Sequence, residues 1–121
     1  MGKFLWVFLG SGLGGMMRYA ISLIFATSSS KFPIGTFVAN CSAAFIVGVF
    51  YAIASQKEWL DKNYILLLTI GLCGGLSTFS TFSLESLKLW QSGQYGITIL
   101  YIALSILCSL LLTFIGTKII G

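Results

Sequence analysis

The sequence predicts an all-α integral membrane protein, with four transmembrane helices in one domain of 121 residues. Three observations carry this. Hydrophobic residues make up 57% of the chain and charged residues only 8%, against about a quarter charged in a soluble domain. The mean hydropathy is +0.98, so lipid has to be the solvent for most of the surface. The apolar residues gather into four runs, each near the roughly 20 residues that a bilayer span needs.

The first run extends from Phe4 to about Thr27 and is rich in glycine, with Gly10, Gly12, Gly14 and Gly15 ahead of Arg18. It lacks a cleavage-site pattern and leads directly into Arg18 and Tyr19, so it reads as a retained helix. A polar loop from Ser28 to Pro33 ends it. The second run, Ile34 to Ser55, holds no charge, and the connector after it carries Trp59 as an interfacial anchor. The third extends from Tyr64 to about Trp90, and Gln91–Gln94 forms a short turn. The fourth extends from Tyr95 to about Thr117. Four spans put both ends of the chain on one side.

Composition excludes several functions. Seven basic residues, scattered along the chain, make no nucleic-acid footprint. Histidine is absent and no paired acids occur, which argues against an enzyme. Cys41, Cys73 and Cys108 lie inside apolar runs without zinc or redox spacing and read as small buried residues. For orientation, Lys3, Lys57, Lys62 and Lys118 lie on the side of the termini, while Lys31, Lys88 and the nearby Arg18 lie on the other. Positive charges nearly balance, which leaves the positive-inside rule without a clear preference. Dual insertion looks like this, and so does a small protein with weak signals.

The third run is unusual. Gly74-Gly75 is followed by Ser77-Thr78-Phe79-Ser80-Thr81-Phe82-Ser83. Glycine leaves helical dihedrals readily, and hydroxyl side chains satisfy backbone groups that a break frees. The pattern predicts a helix broken at Gly74-Gly75, tolerable at membrane depth only where it is buried in protein or lines a wet cavity. Close helix packing through small residues is the alternative. Phe79 and Phe82 share a helix face, bracketed by hydroxyls, and ring edges carry the partial positive charge that attracts an anion.

In the fourth run Tyr101, Ser105, Ser109 and Thr113 recur at every fourth position, which makes one winding stripe. At about 1.5 Å per residue it covers ~18 Å, more than half of a ~30 Å hydrocarbon core. Each member is a hydrogen-bond donor and none is charged near neutral pH. Three more polar residues stand within or near the spans. Asn40 offers amide donors to an ion or to a neighbouring helix. Arg18 either snorkels to the interface or draws anions to a vestibule. Glu85 is the sole acid beside an apolar run, and Lys88 stands close enough in sequence to pair with it.

Together these segments resemble the Fluc (CrcB) fluoride channels. Gly10–Tyr19 is similar to the family's glycine-rich, Arg-containing first helix, and Pro33–Asn40 to its P-x-G-T-…-N segment. Gly71–Glu85 is similar to its third-helix signature. The resemblance covers essentially the whole chain. It implies an antiparallel, dual-topology homodimer with paired fluoride pores, and a structural sodium ion held by backbone carbonyls at the third-helix breaks. Gly74 and Ser77 match the sodium positions, with Ser77 where many members have Thr. Asn40, Phe79, Phe82, Tyr101, Ser105, Ser109 and Thr113 match the pore positions. Arg18, with Thr78, Ser80, Thr81 and Glu85, falls at vestibule or accessory positions. The implied activity is passive export of fluoride across the cell's inner membrane, which lowers its toxicity. A small proton-coupled multidrug exporter would need an acid deep in a helix. A non-transporting scaffold would leave the hydroxyl stripe unexplained.

Overall fold

The computed structural model describes residues 2–27, 29–56 and 62–119. Lys57 and the interfacial Trp59 lie outside the described residues. Helix α1 spans Gly2–Ile24, three residues short of the end expected from the apolar run, and α2 spans Ile34–Gln56. The third run is composite. It opens as one helical turn, α3 (Lys62–Ile65), and widens into a π-helical segment, Leu66–Cys73. It then tightens into a final turn, α4 (Gly74–Leu76), and resumes as α5 (Phe79–Gln91). Helix α6 spans Tyr95–Ile119. Four stretches, with 62–91 taken as one, are long and apolar enough to cross a membrane, and the protein is a multi-pass membrane protein.

Local chemistry sets the ends. Pro33 has no N–H to lose ahead of α2 and accepts a bond from the Phe37 N–H at 3.1 Å. Between α5 and α6 the chain reverses at Gly93, which adopts φ 81°. The Gln94 N–H reaches the Leu89 carbonyl at 2.9 Å and the Gly93 N–H reaches Trp90 at 3.1 Å. This is a Schellman closure, which requires the left-handed conformation that glycine adopts without penalty. The Trp90 and Tyr95 rings stack edge to face across that turn, 4.4 Å apart.

Packing follows from the lack of a hydrophobic force between helices in lipid, where close van der Waals approach does the work. Helix α1 lies against the π-helical segment and α4 along a glycine seam. A Cβ on Gly71 would stand 2.8 Å from the Gly10 Cα, closer than real side chains approach. Helix α2 lies against α6, where Gly116 meets the Phe45 carbonyl in the same way. The interior between these pairs is small: Ala39, Ala43, Cys73 and Leu76. Phe4, Phe8 and Phe114 point outward to lipid. Phe25, by contrast, is half-buried beside Gly35.

The expected break at Gly74-Gly75 is displaced. Gly74 keeps helical dihedrals (φ −64°, ψ −36°), and the extended residues are Ser77 (φ −80°, ψ 156°) and Thr78 (φ −150°, ψ 122°). The glycines serve other ends. Gly75 lets α1 approach, since a Cβ there would fall 2.5 Å from the Ser11 carbonyl oxygen, while Gly74 faces open space.

Candidate functional site

Side chains from three elements rewire the backbone at Ser77-Thr78. In an uninterrupted helix each N–H bonds the carbonyl four residues earlier, so Thr78 would donate to Gly74, Phe79 to Gly75 and Thr81 to Ser77. Here the Thr78 N–H donates to Asn40 Oδ1 at 2.7 Å. Asn40 Nδ2 returns a bond to the Thr78 carbonyl at 3.2 Å. The Gly75 carbonyl accepts from Arg18 Nε at 3.1 Å. The Thr81 N–H donates to Thr78 Oγ1 at 3.1 Å, an N-cap for α5. Among the described residues the Gly74 and Ser77 carbonyls accept no hydrogen bond.

Beside this junction lies an open groove of about 640 Å³, walled by α2, the third span and α6. Asn40, Phe79 and Phe82 line it, and so do Gly74, Ser77 and Thr78. From α6 come Ser105, Ser109 and Thr113. Phe79 is 79% exposed, and its ring centroid sits 5.7 Å from that of Phe82. Most residues singled out from sequence therefore share one concave surface. Sequence reasoning passed over Thr69 and Cys73, which also line it. Nothing in their spacing distinguishes them from packing residues, and Thr69 Oγ1 bonds back to its own helix at Ile65.

The stripe on α6 is not uniform. Thr113 Oγ1 has the Ala44 and Ser109 carbonyls within reach, at 3.0 and 2.9 Å, so its proton is committed to backbone. Ser105 is 7% exposed, and its Oγ has no partner. Tyr101 is not part of the groove lining. It is fully buried at one end, with its ring 5.0 Å from Phe82 and 5.3 Å from Phe32, and its O–H donates to Glu85 Oε1 at 3.1 Å. Glu85 thus meets a tyrosine, and among the described residues it forms no ion pair with Lys88.

Beyond Tyr101 and Phe82 a second cavity, about 380 Å³, opens at the end of the molecule, where Glu85, Lys31, Lys88 and Thr36 line it. Ser80 is exposed, and its hydroxyl lies 3.3 Å from Thr78 Oγ1. Arg18, Ser80 and Thr81 line neither cavity. Arg18 is half-buried and turned inward to Gly75 rather than reaching for the interface.

Comparison with known proteins shows the family. The family described as "CrcB-like protein, Camphor Resistance (CrcB)" matches residues 5–117. A protein of Phocaeicola vulgatus named "Fluoride-specific ion channel FluC" is 41% identical over 117 residues, 96% of each chain. One of the same name from Azobacteroides pseudotrichonymphae is 36% identical over 115 residues, 94% of this chain and 92% of its own. Another, from Serratia proteamaculans, is 40% identical over 110 residues, 91% of this chain and 87% of its own. A match that begins in α1 and ends in α6 takes in every span and every residue of the groove, and the chain belongs to the CrcB family.

Proposed function

We propose that the protein is a passive, fluoride-selective channel. The observation that carries this is the groove itself. It collects an amide, phenyl rings and an unpartnered buried hydroxyl along membrane-depth helices, with no carboxylate among its lining residues. Its relatives bear the name of fluoride-specific channels. Moving a small hydrated anion bare into lipid is prohibitive. Ser105 Oγ, the second Asn40 N–H and the Phe79 and Phe82 edges replace part of its water. Export from an inside-negative cell needs no coupling, since the potential contributes ~2.3 kcal/mol per 100 mV. The setting is the inner cell membrane, and no catalytic step is involved.

The finer architecture belongs to the same reading. A single chain leaves the groove open, Phe79 uncovered and Gly74 facing empty space. A second, antiparallel copy covers these, and the near balance of lysines and Arg18 on the two sides permits insertion both ways. The free carbonyls of Gly74 and Ser77 suit a hard cation such as sodium, and no cluster of His, Cys, Asp or Glu competes for one among the described residues. In the dimer that cation supplies positive charge at the centre. No observation favours a multidrug exporter, because Glu85, the sole acid near the groove among the described residues, is engaged by Tyr101, nor a scaffold.

The test is fluoride efflux from liposomes that hold purified protein, with chloride as control. Efflux of both ions alike, or of neither, would sink the proposal.

A further inference from the structure

The hydrogen bonds at Ser77-Thr78 have a consequence for Asn40 that its place in the groove does not suggest. Asn40 Oδ1 accepts the very N–H that an uninterrupted helix would give to the Gly74 carbonyl. Thr78 Oγ1 accepts the one that would go to the Ser77 carbonyl. Two side-chain oxygens thus intercept two peptide donors, and the two carbonyls released are those at the candidate cation site. Arg18 completes the arrangement by supplying Gly75 with a donor in place of the Phe79 N–H. The amide of Asn40 is bonded through its oxygen to the N–H and through its nitrogen to the carbonyl of one residue, Thr78, so only one N–H remains for an ion in the groove.

We propose that Asn40 is a positioning residue for a cation site: by holding the Thr78 peptide it keeps the Gly74 and Ser77 carbonyls free, and Thr78 Oγ1 assists it. This deepens the proposed function and rests on the cation part of that reading. It couples ion path and cation site through one side chain, so a change at position 40 alters cation affinity as well as conduction. The roles separate by chemistry. Asn40→Asp retains an acceptor for the Thr78 N–H but puts negative charge in the groove. Asn40→Leu keeps the approximate shape and removes the acceptor, so the Thr78 N–H returns to Gly74. Thr78→Val removes the second acceptor, and Thr78→Ser restores it.

The measurement is thermal unfolding of purified protein in detergent across a sodium titration, with N-methyl-D-glucamine at constant ionic strength. A site that binds only the folded state raises the melting temperature as sodium fills it. We expect the wild type to show this, and Asn40→Leu to need at least about tenfold more sodium for half the effect, the scale of one buried hydrogen bond. Asn40→Asp keeps its half-effect concentration at or below that of the wild type while losing fluoride efflux. Thr78→Val shifts it upward and Thr78→Ser does not. A purely structural Asn40 would lower the melting temperature at every sodium concentration alike, and a Leu variant with the wild-type half-effect concentration overturns the proposal. Should Asn40→Leu not fold, the Thr78 pair decides: equal sodium responses from Val and Ser overturn it. A wild type indifferent to sodium removes the cation site itself. Wild-type fluoride efflux, read separately in liposomes, tests the channel and not this assignment.

Discussion

At the scale of the residue, Phe79 and Phe82 carry the sharpest expectation. Phe79 is the most exposed ring of the groove, and Phe82 links it to the buried Tyr101. Phe79→Ile keeps apolar bulk and removes the electropositive edge. Fluoride efflux should fall about tenfold or more, since one lost contact of ~1–3 kcal/mol corresponds to that rate. Phe82→Ile should act in the same direction. The proper control is Phe8, 73% exposed on the lipid face of α1. Phe25 is no control, because it sits half-buried at the second cavity. Equal losses at Phe8 and Phe79 would show that these substitutions report folding alone. Tyr101 poses a different question, because its hydroxyl is engaged by Glu85. Tyr101→Phe keeps the ring packing and removes that bond. Its expected cost is ~1 kcal/mol of stability, read as a lower melting temperature, and an unchanged one would mean that the bond contributes nothing net.

At the scale of the element, the third span shows where sequence reasoning stops. Its composition marked it as the irregular span, but the glycine pair was the wrong landmark. Glycine permits a departure from helix without requiring one, and Gly75 is needed for the approach of α1. The extended residues are Ser77 and Thr78, because Asn40 and Arg18 reach that point from α2 and α1. Those partners are 38 and 57 residues away in sequence, and no local pattern encodes them. The hydroxyl stripe of α6 has a similar history. Its spacing was legible, yet which hydroxyls remain free depends on Ala44 and Glu85, which belong to other helices. The adjacent glycines should therefore respond differently to bulk. Gly75→Val forces α1 away, with a cost of ~1–3 kcal/mol or more from overpacking, and should reduce the yield of folded protein. In a single chain a Cβ on Gly74 meets nothing within 4 Å, and folding should survive Gly74→Val.

At the scale of the whole molecule, Gly74→Val becomes a test of assembly. If a second copy covers that face, the variant should fold and yet run as a monomer in detergent where the wild type runs as a dimer. A dimer formed equally well by both would place the contact elsewhere. Dual insertion has its own measurement, C-terminal reporters each active on only one side of the membrane. Signal from both sides is expected, and signal from one side alone excludes an antiparallel pair.

The sequence by itself determined that this protein lives in lipid and crosses it four times, because hydropathy and run length are local and additive. It also determined which residue types stand at membrane depth, and its motifs identified the family. Only the tertiary structure decided which backbone groups are left free at the junction of the third span. A hydrogen bond joins whichever groups are adjacent in space, and Asn40 and Arg18 become neighbours of Gly74, Gly75 and Thr78 only once α1 and α2 have packed against the third span.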